Sequence, residues 1–215
     1  MLTIHSAELL VTGPGAAPLP GGAVAVEGDR IAAVGAYDDV AAAHPLARTR
    51  SWPGVLTPGL VNTQAAALLE AAYHPDPREA AELGEEPLTG DRLTALGLDD
   101  ARWGGSARRG AQRMLRHGTT AVVGPFTRAS VRLAVARAGL AQVRRPVPPG
   151  PAGLDPLAAL PEGTAPDTAF AGTLAPGARA DFAVFDVRDV AALAVRGAGA
   201  CVATVLGGRL VYRAR

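Results

Sequence analysis

The amino-acid sequence predicts a mixed fold, with β structure at both chain ends and α/β structure between them. Three observations carry this. Residues 2–34 are short β-rich runs separated by glycine turns, and β-rich runs return in residues 180–213. Between them, a buried-strand pattern, an amphipathic helix, a second strand and a second helix follow in order, which implies parallel βαβ units. Residues 146–166 are rich in Pro and Gly with almost no periodicity, so they read as a connector. The simplest architecture pairs the two ends into one small β domain with the α/β segment inserted.

The elements follow in order. Residues 2–11 form a first strand and residues 12–22 a Gly/Pro loop. Residues 23–27 and 30–34 form a hairpin about Gly28-Asp29. Residues 38–43 can make one helical turn, which Pro45 discourages from continuing. Residues 55–63 are a compact apolar run broken by Pro58-Gly59, and residues 64–72 favour helix. Residues 73–103 read as loop, their best helical piece being 78–83. Residues 106–117 carry Ala107, Ala111, Met114 and Leu115 at amphipathic spacing, with Ser106 as the N-cap and Gly118 in the C-cap position. Residues 119–123 are a buried strand, and 128–138 a second helix ending at Gly139. At the far end, residues 180–185, 201–206 and 209–213 are strands, the last two joined by Gly207-Gly208 as a two-residue hairpin.

Composition narrows the function classes. The 215 residues are 48% hydrophobic and 19% charged, which suits a globular core rather than disorder. Net charge is +1, every basic side chain other than histidine is Arg, and no basic run exceeds Arg144-Arg145, so no nucleic-acid or membrane surface is expected. Cys201, alone in an apolar run, is expected to be a buried, inert thiol. No stretch has signal-peptide or membrane-spanning character, so a cytoplasmic location is expected.

Several segments resemble a known family. Pro58-Gly-Leu-Val-Asn-Thr-Gln-Ala-Ala66 resembles the amidohydrolase-superfamily motif Pro-Gly-Leu/Phe-Val/Ile-Asn/Asp-x-His-x-His at the end of the first barrel strand. Residues 26–35 resemble the hairpin of that family's small β domain, and 109–123 its helix and second barrel strand. Residues 172–186 resemble the return to the β domain, and 205–212 its closing hairpin. Together they cover about two-thirds of the chain in the family's order, and are most similar to imidazolonepropionases and aminofutalosine or related deaminases. The resemblance implies a small β-sandwich composite domain from residues 1–54 and 170–215. It also implies an inserted, incomplete (β/α) barrel remnant over 55–145 and a connector over 146–169. A closed eight-stranded barrel needs about 200 to 250 residues, roughly twice what lies between Val55 and Phe170.

The family acts on non-peptide C–N bonds with zinc or a similar divalent metal. Two histidines one residue apart on a strand end share a face and can bind one ion. Here those positions are Gln64 and Ala66; an amide is a poor ligand for such a metal and a methyl group is none. The metal-free state, with no cofactor and no catalytic residue assigned, is therefore the expectation. A possible remnant pocket comprises Asn62, Gln64, Glu70 and His74.

Other polar residues read as structural. His5 lies on the first strand, His44 in a loop before proline, and His117 in a last helical turn where a cation complements the helix dipole. Asp76, Glu79, Glu82, Glu85 and Glu86 read as a solvated acidic face. Trp103 is a packing anchor and Asp181 holds the turn into the β domain. Gly13-Pro-Gly15 and Gly104-Gly105 lack a phosphate-cradle pattern. Three readings follow: a degenerate homologue (a pseudoenzyme) with a structural or partner-binding role, a residual C–N hydrolase or deaminase with a reduced or subunit-shared site, and a ligand-binding module without chemistry. A partial βαβ layer leaves apolar faces and edges that another chain would bury, so a homodimer or protein partner is expected.

Overall fold

The computed structural model describes residues 2–150 and 152–214. In chain order the elements are β1 (Leu2–Leu10), β2 (Leu19–Pro20), β3 (Gly22–Glu27), β4 (Arg30–Ala36), α1 (Tyr37–Ala43), β5 (Arg48–Pro58) and β6 (Leu60–Asn62). There follow α2 (Ala65–Glu70), α3 (Ala80–Leu83), α4 (Gly90–Ala95), α5 (Asp100–Leu115), β7 (Thr119–Val123), α6 (Ala129–Ala138) and β8 (Ala141–Val143). The chain closes with β9 (Phe182–Phe185), α7 (Val190–Arg196), β10 (Cys201–Leu206) and β11 (Arg209–Arg213). The fold is mixed α+β, with no closed barrel among the described residues.

Strands from both ends share one sheet in the order β11-β10-β9-β5-β1-β3-β4, with β2 on β1. These strands are hydrogen-bonded into one continuous sheet that curls back on itself. The bend at Asp29 to Ile31 meets the segment entering β9: Ile31 N donates to Ala178 O at 2.9 Å, Gly177 N to Ile31 O at 2.8 Å and Ala180 N to Asp29 O at 2.8 Å. The coil lets Leu10, Val24, Val26, Ile31, Leu56, Phe182, Val184 and Val205 pack in one core. Their alternation along each strand is the period-2 pattern that directs one face inward.

The second sheet is parallel, β6-β7-β8, with α5 crossing from β6 to β7 and α6 from β7 to β8. Ala65, Leu68 and Leu69 of α2, Ala107, Ala111 and Met114 of α5 and Val131 and Val135 of α6 cover one face. The predicted βαβ order is thus present. Gly139 closes α6 in the left-handed conformation, φ 77°.

Several sequence expectations are corrected. The run 55–63 is broken at Pro58-Gly59 as read, but its two parts lie in different sheets. Val55–Pro58 belongs to the large sheet, paired with β9, and only Leu60–Asn62 joins the parallel sheet. The strand preceding that junction begins at Arg48, because β1 supplies a parallel partner from residue 3 onward. Residues 73–103 are not simply loop, since they hold α3, α4 and the start of α5. Ser106 is not an N-cap: α5 starts at Asp100, capped by the Asp99 carboxylate accepting from Arg102 N at 2.8 Å. Two members of the acidic face are paired, Asp76 with Arg109 at 3.2 Å and Glu79 with Arg102 at 3.0 Å. Asp181 does hold its turn, accepting from Gly207 N at 2.7 Å and from Arg179 at 2.6 Å. Among the described residues, no helix is long and apolar enough to cross a membrane.

The β10-β11 turn gives a stability test. Gly28 and Gly208 both have positive φ, 62° and 72°. A Cβ at Gly28 meets open space, whereas one at Gly208 collides with the Gly28 carbonyl oxygen. Gly28→Ala should therefore cost only the left-handed penalty of about 1–2 kcal/mol. Gly208→Ala should cost about 3 kcal/mol or more because a backbone clash is added. Urea midpoints of the two variants check the ordering.

Candidate functional site

In α/β sheets, ligands bind beyond the carboxyl ends of the strands. Here the carboxyl end of β6 is Asn62, 1% exposed, and beyond it Gln64, 7% exposed. Asn62 Oδ1 accepts from Gln64 N at 2.9 Å, which tightens the turn after the strand. Asn62 Nδ2 donates to Gly153 O at 3.1 Å and Leu154 O at 3.4 Å. Gln64 Nε2 donates to Pro148 O at 2.8 Å. Both amides therefore face the connector, and three of its main-chain carbonyls sit at this strand end.

The connector is fastened on either side of that contact. Leu154 packs against the core under the helices, and Leu157 is buried with Phe170 and Phe185. Asp155 accepts from Leu157 N and Ala198 N, both at 2.8 Å. Arg145 reaches the carbonyls of Thr168 at 2.6 Å and Phe170 at 2.5 Å.

Glu70 and His74 have other partners. Glu70, at the end of α2, accepts from Thr127 N, Arg128 N and Thr127 Oγ1, and so orders the entry to α6. His74 is fully buried; its Nε2 lies 2.9 Å from Leu68 O, and its backbone N donates to Ser106 Oγ at 2.8 Å. Gly110 makes room for the ring, because a Cβ there would stand 2.6 Å from His74 Nε2. Burial lowers the His74 pKa, with Arg113 and Arg109 adding to the effect against the Leu68 hydrogen bond. The ring is therefore neutral and donates to Leu68 O.

Around it lies a clamp that the sequence reading missed. Arg109 Nε donates to His74 O at 2.8 Å. Tyr73 Oη contacts Glu79 at 2.6 Å, and the guanidiniums of Arg102 and Arg109 lie 5.2 and 5.7 Å from its ring centroid. Trp103, buried as expected, carries Arg128 over its ring at 4.3 Å. A signal for the clamp was available, since Ser106, Arg109 and Gly110 stand at i, i+3 and i+4 on one helix.

The donor set does not fit a divalent metal. Gln64 directs a donating amide nitrogen at a carbonyl and Ala66 packs with the helix-layer core. His74 uses Nε2 on Leu68 O and keeps a buried Nδ1 with no partner among the described residues, but one imidazole nitrogen alone does not hold an ion. Among the described residues, no three His, Cys, Asp or Glu side chains are grouped to hold an ion. Cys201 is buried, and burial pushes its thiol up to about 11, far from a thiolate at neutral pH.

Residues 22–47 match the model of the imidazolonepropionase-like composite domain of bacteria. That stretch is the β3-β4 hairpin with α1, and it overlaps the hairpin whose resemblance was read from the sequence. The match agrees with the imidazolonepropionase-like resemblance read from residues 26–35. No curated protein matches the chain. Among solved structures, the chain is similar to an ochratoxinase from A. niger, with 24% identity over 65% of this chain and 29% of that one and a TM-score of 0.46. It is also similar to the guanine deaminase of E. coli, with 13% identity, 66% and 36% coverage and a TM-score of 0.47. A zinc-bound adenosine deaminase from Xanthomonas campestris gives 20% identity, 66% and 33% coverage and a TM-score of 0.45. The chain spans about a third of the length of these structures.

Buried histidines set a pH dependence. His5, 1% exposed, accepts from Trp52 Nε1 at 3.1 Å and packs edge-on to Phe182. Burial, aided by Arg50, lowers its pKa from 6.5 to about 4. Above pH 6.5 the residue is neutral folded and unfolded alike. Below that the unfolded chain takes up the proton first, so stability falls until the folded residue protonates near pH 4, a loss of about 3 kcal/mol. His74 and His117, both lowered chiefly by burial, act in the same direction. Urea unfolding between pH 7.5 and 4 should show this decline, with a shallower slope in His5→Asn; stability constant across that window would contradict it.

Proposed function

We propose that this chain is a metal-free, catalytically degenerate amidohydrolase-superfamily homologue with a structural or partner-binding role. The observation that carries the reading is the strand end of the parallel layer, where Asn62 and Gln64 hold carbonyls of Pro148, Gly153 and Leu154. A catalytic site needs a reacting atom within reach of an activated group. Here the groups at the strand end are amides bonded to the chain's own backbone.

In this reading the composite β domain, residues 1–54 with 170–215, is the folding core, and the remnant over 55–145 is the surface for assembly. Support for assembly comes from the outer faces of α5 and α6. A groove of about 580 Å³ there is lined by Ala101, Gly104, Gly105, Leu133, Ala134 and Ala138 among others, and Leu133 is 49% exposed. Small and apolar residues around a half-exposed leucine, rimmed by Asp100, Arg108 and Arg137, suit an apolar side chain with polar neighbours from a second copy or another protein. A cytoplasmic setting is part of the same proposal.

Purified protein should contain no stoichiometric zinc and show no turnover on imidazolones or aminopurine nucleosides. Sedimentation at micromolar concentration should give a dimer, or co-purification a defined partner, and Leu133→Asp should weaken the association. One zinc per chain accompanied by turnover would sink the degenerate reading. A monodisperse monomer without any partner would remove the assembly role.

A further inference from the structure

The residues at 64 and 66 are only half of the departure from a metal site; the other half is the path of the backbone. Two ligands one residue apart converge on an ion when the chain is extended, because alternate strand residues share a face. Here β6 ends at Asn62, and Gln64 has φ −95° and ψ 11°, outside the extended region. Helix α2 begins at Ala65, so Ala66 lies in its first turn. Residues two apart on a helix point roughly 200° apart, and side chains at i and i+2 do not face each other. The surroundings agree with that divergence: Gln64 reaches the connector carbonyl of Pro148, while Ala66 packs with the helix-layer core.

The turn itself is stabilised from inside. Asn62 Oδ1 accepts from Gln64 N and bends the chain, while Asn62 Nδ2 binds Gly153 O and Leu154 O. One buried side chain thus ends the strand and seats the connector. We infer that residues 62–64 form a latch that holds the connector over the end of β6, and that the helical start at Ala65 removes the paired-ligand geometry whatever residues occupy positions 64 and 66. This rests on the degenerate reading above and adds to it a cause in the backbone.

Two sets of variants test it. In the Gln64→His/Ala66→His double variant both imidazoles are restored. With folding verified by circular dichroism, zinc titration by calorimetry and metal analysis should show no stoichiometric binding. One zinc per chain at micromolar or tighter affinity would overturn the backbone argument. Asn62→Asp keeps the acceptor for Gln64 N and loses the donor to the connector, and Gln64→Glu likewise loses the donor to Pro148. In each, hydrogen exchange at the Leu157 and Leu160 amides should quicken by about tenfold or more, with β5 and β9 unchanged. Unchanged exchange at those two amides in both variants would overturn the latch. Zinc or turnover in the unsubstituted protein would sink the degenerate reading, whereas zinc in the double variant alone would sink only this inference.

Discussion

The junction at Pro58-Gly59 is the constraint on which both sheets depend. One continuous segment, Arg48 to Asn62, is the central strand of the coiled sheet and then the first strand of the parallel one. At the change-over, Gly59 N donates to Asp181 O, Leu60 N to Gly118 O, and Ala171 N to Gly59 O at 2.7 Å. Four distant parts of the chain meet there. A side chain at 59 would occupy the space of Thr120, so only glycine lets β7 approach this closely. The two sheets are hinged on a position without a Cβ, and the position of the latch at residues 62–64 follows from it.

The Thr119 and Thr120 hydroxyls at this junction are buried without partners among the described residues, whereas nearby charged groups are paired locally. Asp181 collects Arg179 and the Gly207 amide where the closing hairpin meets β9. Burial raises its carboxyl pKa in spite of those two partners. Tyr73, Glu79, Arg102 and Arg109 form a similar knot beside α5. Each knot ties a loop to a helix or strand already placed by apolar packing, so it refines the loop path rather than directing the fold.

What could be read in advance followed the reach of each signal. Glycine turns and alternating apolar residues are local, and the hairpins at Gly28 and at Gly207-Gly208 were legible from them. So was the βαβ order, from helical periodicity in 106–117 and 128–138. Residues 48–54 were not, because Arg48, Arg50 and Pro53 break the apolar alternation and the strand there is imposed by pairing with β1. Asp99 was overlooked as a helix cap because Gly104-Gly105 weakens the helical pattern between it and Ala107. At the candidate site, the lack of metal-binding side chains at 64 and 66 was visible in the letters. So was the onset of α2, since residues 64–72 favour helix and α2 runs from Ala65 to Glu70. The seating of the connector on Asn62 and Gln64 was not, because it joins residues far apart in the chain.

The latch also explains which segment can lie across the strand end. Proline has no amide hydrogen, so a proline-rich stretch offers carbonyl acceptors and few donors. The side-chain amides of Asn62 and Gln64 carry two N–H groups each, the complementary chemistry. They touch only carbonyl oxygens of Pro148, Gly153 and Leu154, atoms that every amino acid possesses. Leu154, Asp155 and Leu157 fasten the rest of the segment through their own side chains. The latch itself grips main-chain atoms and leaves the side chains at 148 and 153 free to vary. The receiving pair of amides has no such freedom.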